Sequence, residues 1–361
     1  MAGNKNLNSA ARAKKDEFYT QIRDIENELR YYQKFFAGKV VLCNCDDPYE
    51  SDFFKYFAIY FNQLGLKKLI ATCYAGSPVV QTELDFWGTV NENPTFDKRK
   101  NAIKLEISEV RDFNGDGATD LADVQWLLKN NKNVVTYLNG DGDFRSPECV
   151  AALREADVVV TNPPFSLFRE YVAQLVEFDK KFLIIGNMNA ITYKEIFPLI
   201  MNNKVWLGYR MGRGISGFIV PETYELYGTE ARIDERGRRI VSTNQCLWLT
   251  NIDIKKRHED ILLFRRYSDE PERYPHYDNY DAIEVSKTAD IPKDYFGVMG
   301  VPITFLDKYN PAQFEILGHT SSSDLTPAVE ALRTDKKNRN RGIINGKQKY
   351  DRILIRRKAA D

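Results

Sequence analysis

The chain has 361 residues, a formal net charge of zero at pH 7, five cysteines and three histidines. No run of about 18 apolar residues occurs, so no transmembrane helix is predicted, and the polar, basic start of the chain does not resemble a secretory signal. The cysteines are scattered and odd in number, which predicts reduced thiols in a cytoplasmic protein, and their spacing argues against a zinc site.

Helices and strands alternate through the first 209 residues. Apolar residues at helical spacing predict helices at 17–36, 51–65, 121–130, 146–156, 166–178 and 192–203. Short runs rich in β-branched residues predict strands at 39–45, 67–74, 133–138, 157–161, 180–186 and 204–209. This alternation indicates an α/β fold with a parallel sheet and helices on both faces.

Five of the predicted strands end in polar, acidic, glycine-rich or proline-rich sequence. The sequences at these ends are "NCDDPYES", "CYAGS", "NGDGDF", "TNPPF" and "GNMNA". In open α/β sheets, ligands bind outside the carboxyl ends of the strands. We therefore predict one ligand crevice lined by these five strand ends.

The alternation ends after residue 209. Residues 212–252 read as strands and turns, and residues 341–358 read as an extended pair that turns at its Asn-Gly dipeptide. We therefore predict two domains, a catalytic domain at 1–209 and a second region at 210–361.

Positive charge is concentrated in the second half of the chain. From residue 333 to residue 361 there are eleven Lys and Arg against three Asp and Glu. Further basic clusters lie at 209–214, 236–239 and 264–267. Several such clusters favour a polyanionic partner, whereas a single one is usually a solvated surface. Arg210 and Arg213 stand among glycines and suit contacts to phosphates and base edges, although an ordinary solubilising loop would look the same.

The sequence "VVVTNPPF" (158–165) places a rigid polar turn at the end of a buried strand. Two prolines cannot continue a central strand, and each fixes its own backbone. The side-chain oxygen of Asn162 and the carbonyl oxygen of Pro163 can accept both hydrogens of an aromatic amine, which frees the nitrogen lone pair for attack. Pro164 stiffens the turn, and Phe165 can stack on the ring. The simpler interpretation is a strand that ends in a proline-rich turn.

The Asn-Pro-Pro-Phe element resembles motif IV of amino-methyltransferases that use S-adenosylmethionine. "DEFYTQ" (16–21) resembles the methionine-side cofactor segment of these enzymes, "VLCNCDDPYESDFF" (41–54) their motif I, and "GDGDF" (140–144) their motif III. The order of these motifs is similar to the gamma arrangement of DNA adenine methyltransferases. "FFKYF", "LGLKKLI" and "TNPPFSLFREYV" are similar to the EcoRI methylase family, over roughly residues 14–320.

The resemblance implies a site-specific DNA adenine-N6 methyltransferase that uses S-adenosylmethionine, needs no metal and acts on double-stranded DNA. It implies a Rossmann-like methyltransferase sheet and a smaller, mostly β target-recognition region. The target adenine would be flipped into a pocket at Asn162–Phe165. The resemblance also implies a protective role, in a restriction-modification system, in a phage or as an orphan enzyme. In a restriction-modification system, a cognate restriction endonuclease would be a partner. The implied cofactor residues are Tyr19, Thr20, Asp46, Asp47, Pro48, Asp143, Phe144 and Asn162.

Two features depart from the family pattern. Motif I has Tyr49-Glu50-Ser51-Asp52 where a Gly-x-Gly usually lies, and the strand at 67–74 does not end in the acid that would bind ribose. The ribose ligand therefore stays open. Alternative functions are an RNA or protein-glutamine methyltransferase with the same motif, or a non-catalytic DNA-binding subunit.

The sequence "DFNGDGATDLAD" (112–123) has acidic and amide residues at the spacing of a calcium loop, with Gly117 at its sixth position. Its twelfth residue, Asp123, is shorter than the usual bidentate Glu. A surface turn that caps the following helix explains the same residues, so both interpretations stay open.

Overall fold

The computed structural model describes residues 19–45, 51–73, 102–130, 135–211, 215–220, 231–235, 237–241, 245–320, 326–335 and 341–359. The predicted cofactor residues Asp46, Asp47 and Pro48 lie outside the described residues, as does the predicted phosphate contact Arg213.

Within the described residues, helices and strands follow one another from residue 19 to residue 357. The helices are α1 (Ile22–Leu29), α2 (Asp52–Ile59), α3 (Phe61–Leu64), α4 (Leu121–Asn130), α5 (Pro147–Glu155), α6 (Phe168–Glu177), α7 (Phe197–Met201) and α8 (Pro327–Leu332). The strands are β1 (Tyr19–Thr20), β2 (Val40–Asn44), β3 (Lys68–Thr72), β4 (Ile103–Ile107), β5 (Val135–Tyr137), β6 (Val158–Thr161), β7 (Lys181–Asn187), β8 (Trp206–Met211), β9 (Phe218–Val220), β10 (Ala231–Ile233), β11 (Arg239–Val241), β12 (Cys246–Thr250), β13 (Ile283–Glu284), β14 (Val298–Val301), β15 (Phe314–His319), β16 (Ile343–Ile344), β17 (Lys347–Gln348) and β18 (Ile353–Arg357).

The largest sheet has eight strands in the order β5-β4-β3-β2-β6-β7-β12-β8. Its four central strands, β3, β2, β6 and β7, are parallel. Val41 pairs with Leu69 on one side and with Val158 on the other, and all three are fully buried. Strands covered on both faces read as continuous apolar runs, which is why the sequence predicts them.

The sequence predicts a parallel sheet, and the four central strands are parallel, but the outer strands pair antiparallel and make the sheet mixed. β4 pairs antiparallel with β3, β5 pairs antiparallel with β4, and β12 pairs antiparallel with β7. The sequence analysis predicts no strand at β4. It also assigns β12 to the second region, whereas β12 is a buried strand of the main sheet. The fold class is nevertheless mixed α/β, as predicted.

Local signals fix the helix ends that the sequence predicts. The Ser51 side chain accepts a hydrogen bond from the Phe54 N–H at the start of α2, and Gly65 ends α3 in the left-handed conformation with φ of 62°. The Ser146 side chain likewise caps α5, with Pro147 at the first helical position. The predicted helix at 51–65 is thus confirmed, with a break at Tyr60.

Three smaller sheets complete the described strands. One has the order β1-β9-β11-β10, one has the order β13-β14-β18-β15, and β16 pairs with β17 alone. The predicted Asn-Gly turn is confirmed, because Asn345 and Gly346 have φ of 50° and 70° between β16 and β17. The predicted long pair is wrong, since β18 pairs with β14 and β15 instead.

The chain divides into two compact units. One contains the residues up to Ile191 together with Gly208–Ile252, and the other contains Thr192–Leu207 together with Asp253–Asp361. The first holds the site motifs, and its core includes the fully buried rings of Trp248 and Tyr171. Whether residues 210–361 form a functional region of their own stays a prediction. Among the described residues, no helix is both long enough and apolar enough to cross a membrane. None of the five cysteines, all of which the structure describes, forms a disulfide, and only Cys45 is not buried.

Candidate active site

The site lies where the chain changes direction across the main sheet. From β2 to β3 the chain moves towards one edge of the sheet. From β6, the neighbour of β2 on its other side, to β7 it moves towards the opposite edge. Ligands bind at such a switch point, outside the carboxyl ends of the strands. Here these ends are Asn44 and Thr161, and the Thr161 hydroxyl donates a hydrogen bond to the Asn44 carbonyl. The motif IV turn therefore starts beside the end of the motif I strand.

The Asn162-Pro163-Pro164-Phe165 element follows β6 directly. Asn162 and Pro163 are buried, and Pro164 has φ of −55° and ψ of 125°. Phe165 is half-buried and opens a 3-10 turn at Phe165–Leu167, in which the Leu167 N–H donates to the Pro164 carbonyl at 3.1 Å. The helix α6 then starts at Phe168. Pro163 and Pro164 thus make the change from strand to helix without a flexible residue.

Phe165 contacts β9, a strand more than fifty residues further along the chain. Its ring packs edge-on against the ring of Phe218, with centroids 6.1 Å apart and an interplanar angle of 67°. Phe218 lies in β9 and pairs with Thr20 of β1, while Ile219 pairs with Tyr19. The predicted cofactor segment and the predicted catalytic motif therefore both contact β9.

Further contacts hold the Tyr19–Thr20 segment in place. The Gln21 amide donates to the Gly217 carbonyl at 2.7 Å, and the Asp24 carboxylate accepts from both the N–H and the hydroxyl of Ser216. The Ile22 N–H donates to the carboxylate of Asp52, the first residue of α2. This ties the segment both to β9 and to the helix that follows motif I.

The Thr20 side chain provides evidence for a cofactor site. Tyr19 and Thr20 are buried, and the Thr20 hydroxyl has no hydrogen-bond partner within the described part of the chain. Most buried hydroxyls have a partner, because an unsatisfied one costs free energy. A polar group of a bound ligand would satisfy Thr20. The residues present therefore fit a cofactor with polar atoms at this point.

The "GDGDF" loop packs against the end of β3. Gly142 has φ of 79°, and a Cβ added there would lie 2.0 Å from the Cys73 carbonyl oxygen. Asp143 accepts hydrogen bonds from the Arg145 side chain, which lower the pKa of its carboxyl. The Asp143 carboxylate is therefore ionised at neutral pH and already paired with a half-exposed arginine.

Phe144 connects this loop to the motif I strand. Its buried ring packs edge-on against Tyr171, with centroids 5.1 Å apart, and the Arg145 guanidinium carbon lies 5.1 Å from the centroid of the Phe144 ring. The Tyr171 hydroxyl donates to the side-chain oxygen of Asn44. Loop 140–144, α6 and β2 are thus joined by direct contacts. The sequence analysis misses Tyr171 and Asn44, whose apolar surroundings mark them only as core residues.

The strand pairings place the five predicted strand ends at one edge of the sheet. β2, β3, β6 and β7 run in one direction, and β5 shares it because two antiparallel pairings separate β5 from β3. The sequences after these strands therefore start at the same edge. Phe165 and the Tyr19–Thr20 segment both contact β9, and Phe144 is connected through Tyr171 to Asn44 at the end of β2.

Only some of the arginines in the predicted DNA-binding region have side chains that no carboxylate of the described chain already binds. Arg210 is exposed near the end of β8, and its side chain makes no hydrogen bond or ion pair with another described residue. In the basic C-terminal stretch, by contrast, Arg352 forms a largely buried ion pair with Glu284 at 2.6 Å, and the buried Arg333 pairs with Glu330. Part of the local positive charge thus serves the structure of the second unit.

The calcium-like loop is closed by its own backbone. The Asp112 carboxylate accepts from the N–H groups of Gly115, Asp116 and Gly117. The Asp123 carboxylate accepts from three further N–H groups, which outweigh the effect of burial and lower its pKa. Within the described ranges, no group of three or more His, Cys, Asp or Glu side chains is placed to hold a metal ion.

An Asn-Pro-Pro-Phe turn at the switch point of an α/β sheet, next to a buried segment with a polar atom left to satisfy, is the arrangement expected of an enzyme that methylates an aromatic amine. The chain belongs to the EcoRI family of adenine-specific methyltransferases, whose model, described as "Adenine-specific methyltransferase EcoRI", matches residues 6–358. This confirms the predicted family and enzyme class. No solved structure matches the chain.

Three relatives align over almost the whole chain. The type II methyltransferase M.EcoRI from Escherichia coli is 52% identical over 99% of this chain and 98% of its own length. The type II methyltransferase M.MgeORF184P from Mycoplasma genitalium is 36% identical over 97% of this chain and 98% of its own. The type II methyltransferase M.MpnI from Mycoplasma pneumoniae is 33% identical over 98% of each.

Proposed function

We propose that the protein transfers the methyl group of S-adenosylmethionine to N6 of one adenine within a short site of double-stranded DNA. The observation that carries the proposal is the position of Asn162–Phe165. This element follows β6 at the switch point and contacts, through Phe218, the strand that pairs with Tyr19–Thr20. Membership of a family described as adenine-specific supports adenine as the base.

The cofactor would be held at the carboxyl edge of a Rossmann-like sheet with helices on both faces. Tyr19, Thr20, Asp143 and Phe144 are the described residues proposed to hold it, together with Asn162. Asp46, Asp47 and Pro48 are proposed from sequence alone. When bound, S-adenosylmethionine supplies a methyl group on a positively charged sulfur, which is open to attack by a nitrogen lone pair.

The chain's own contribution is to position and polarise the amine. The lone pair of the adenine amine is delocalised into the ring, so the amine is a poor nucleophile. The Asn162 side-chain oxygen and the Pro163 carbonyl would accept its two hydrogens and draw the nitrogen towards tetrahedral geometry. Because Pro163 and Pro164 fix the turn, the two acceptors need little rearrangement when the reaction occurs.

The target adenine would have to leave the duplex. N6 of a stacked, paired base cannot reach a group bound at the strand ends, so the nucleotide is proposed to flip into the pocket. Phe165 is half-buried and presents an aromatic ring for stacking at this point. The mostly β region at 210–361, including Arg210 and Arg213, is proposed to recognise the DNA, in a cytoplasmic restriction-modification system with a cognate endonuclease.

Asn162→Ala tests the proposal at the reacting atom. Removal of one preorganised polar group typically lowers turnover by about 10²–10³. We expect such a loss of methyl transfer, with S-adenosylmethionine binding by calorimetry changed much less. Asn251→Ala, at a half-buried amide that holds the backbone of Lys180 and Phe182, is the matched control for loss of stability alone. Near wild-type turnover in Asn162→Ala would refute the role of this motif.

A further inference from the structure

Two large apolar side chains are left exposed on the segment between residues 260 and 268. Leu262 is 72% exposed and Phe264 is 77% exposed. Arg266 follows at the same two-residue interval and is also exposed. These three side chains occupy alternate positions along the chain, and all three are exposed. We call Leu262, Phe264 and Arg266 the 262–266 strip.

The backbone that carries this strip is held at both ends. At its start, Ile261 and the side-chain amide of Gln313 exchange two hydrogen bonds, each of 2.8 Å. At its end, the Asp294 carboxylate accepts from the N–H groups of Tyr267 and Ser268. Burial would raise the pKa of Asp294, but these hydrogen bonds prevail and lower it to about 2, so the contact persists at neutral pH.

Two cations, Arg266 within the strip and Lys293 beside it, are available to a partner. Arg265 forms a parallel bridge with Pro292, so Arg266 and Lys293 occupy the next positions of the two paired segments. Neither Arg266 nor Lys293 makes a side-chain hydrogen bond or ion pair with another residue that the structure describes. Arg265, in contrast, lies within 3.8 Å of Glu270 and 3.7 Å of Asp290. The strip therefore combines exposed apolar surface with Arg266, a cation that makes no ion pair with another described residue.

We infer that the 262–266 strip is a contact surface for double-stranded DNA. Exposed apolar groups on a fixed backbone mark interaction sites more than isolated ones do. Phosphates would neutralise Arg266 and Lys293, while Leu262 and Phe264 would contact thymine methyl groups or a base step. Two neighbouring cations without an ion pair favour a polyanion as the partner, and a contact between copies of the chain is the alternative that the test separates. The inference rests on the proposed function, which makes DNA the substrate.

The protein's target site is first identified by sequencing methylated DNA from cells that express it. The test then compares the double variant Leu262→Ala/Phe264→Ala with wild type in binding an unmethylated duplex that contains this site. We expect affinity to fall about tenfold or more, with S-adenosylmethionine binding unchanged. Arg266→Gln should reduce the slope of log affinity against log salt by about 0.9, the value for one phosphate contact. Val176→Ala, which removes exposed apolar surface from α6, should do neither.

The outcomes separate this inference from the proposed function. All four substituted side chains are exposed, so melting temperatures should stay close to wild type. If wild type methylates the duplex and the double variant binds it as tightly as wild type, the inference is wrong and the function stands. If the double variant instead loses self-association in sedimentation while it binds DNA normally, the strip is a contact between copies, which also overturns the inference. If wild type methylates no DNA, the proposed function itself fails.

Discussion

At the residue scale, the proposed catalytic element joins one polar group to one aromatic ring on a backbone fixed by two prolines. Asn162 is buried, whereas Phe165 is half-buried and packs edge-on against Phe218. The face of the Phe165 ring is suited to a stacked base, because every base offers a π-face. The sequence alone predicts Asn162 and Phe165 as partners but gives no sign of Phe218, which lies more than fifty residues further along the chain.

Phe165→Ala should abolish most of the methyl transfer, because stacking of an extruded base is worth roughly 1–3 kcal/mol. Phe165→Trp should retain activity, since it keeps an aromatic face. A fluorescent adenine analogue at the target position should brighten when the protein binds, which reports that the base has left the stack. A stable complex without any change in fluorescence would argue against flipping.

At the scale of elements, the sequence predicts best what local patterns determine. Helix α4 lies at Leu121–Asn130, where its apolar spacing predicts it, and the ends of α2, α3 and α5 follow their capping residues. β4 is missed although its Ile-Lys-Leu-Glu-Ile sequence alternates apolar and charged residues, which is the usual signal of a half-buried strand, because the sequence analysis relies on apolar runs like those of the central strands. The sequence does not show that β12 pairs with β7 of the main sheet, because strand pairing across an intervening segment leaves no local signal.

The candidate site shows the same limit. Motif IV and motif III are visible as short, unusual sequences, and the structure connects the second of them to β2 through Tyr171. The pairing of β1 with β9 joins residues about two hundred positions apart, so no periodicity predicts it. The unsatisfied hydroxyl of Thr20 likewise becomes apparent only once its surroundings are known.

Gly142→Ala tests whether the "GDGDF" loop must press against the end of β3. The added Cβ would meet the Cys73 carbonyl oxygen at 2.0 Å and would also strain a backbone with φ of 79°. We expect a decrease of about 1–3 kcal/mol in the free energy of unfolding, and weaker S-adenosylmethionine binding. Gly140→Ala is the matched control, because its Cβ would meet nothing closer than the Glu148 carboxylate at 3.8 Å. Equal stability of the two variants would contradict this account of the loop.

At the scale of the whole molecule, the main sheet and its strand-end motifs lie in one compact unit, whereas much of the basic sequence lies in the other. The positive charge there is partly committed to internal ion pairs such as Arg352 with Glu284. Net charge in a stretch of sequence therefore overstates the charge available to DNA. The cations that make no such pair, among them Arg210, are better candidates for binding phosphates.

Charge removal at Arg210 and Arg213 should weaken DNA binding and leave S-adenosylmethionine affinity nearly intact, because both lie beyond the cofactor motifs. For each phosphate that the variant no longer neutralises, the slope of log affinity against log salt should become shallower by about 0.9. Substitution of Asp47 or Asp143 should have the opposite pattern. Separate titrations of each variant with DNA and with S-adenosylmethionine measure the two affinities. A parallel decrease of cofactor affinity in the arginine variants, or DNA binding that is flat in salt, would contradict the predicted functional division at residue 209.

The central claim is that Asn162–Phe165 directs a methyl group to N6 of adenine in duplex DNA. The most direct measurement is to incubate the purified protein with unmethylated duplex DNA and isotopically labelled S-adenosylmethionine, and to identify the labelled nucleoside by mass spectrometry. The account predicts labelled N6-methyladenine with wild type and about 10²–10³ times less with Asn162→Ala. Label in another base, in RNA or protein but not in DNA, or in equal amount with the variant, would contradict it.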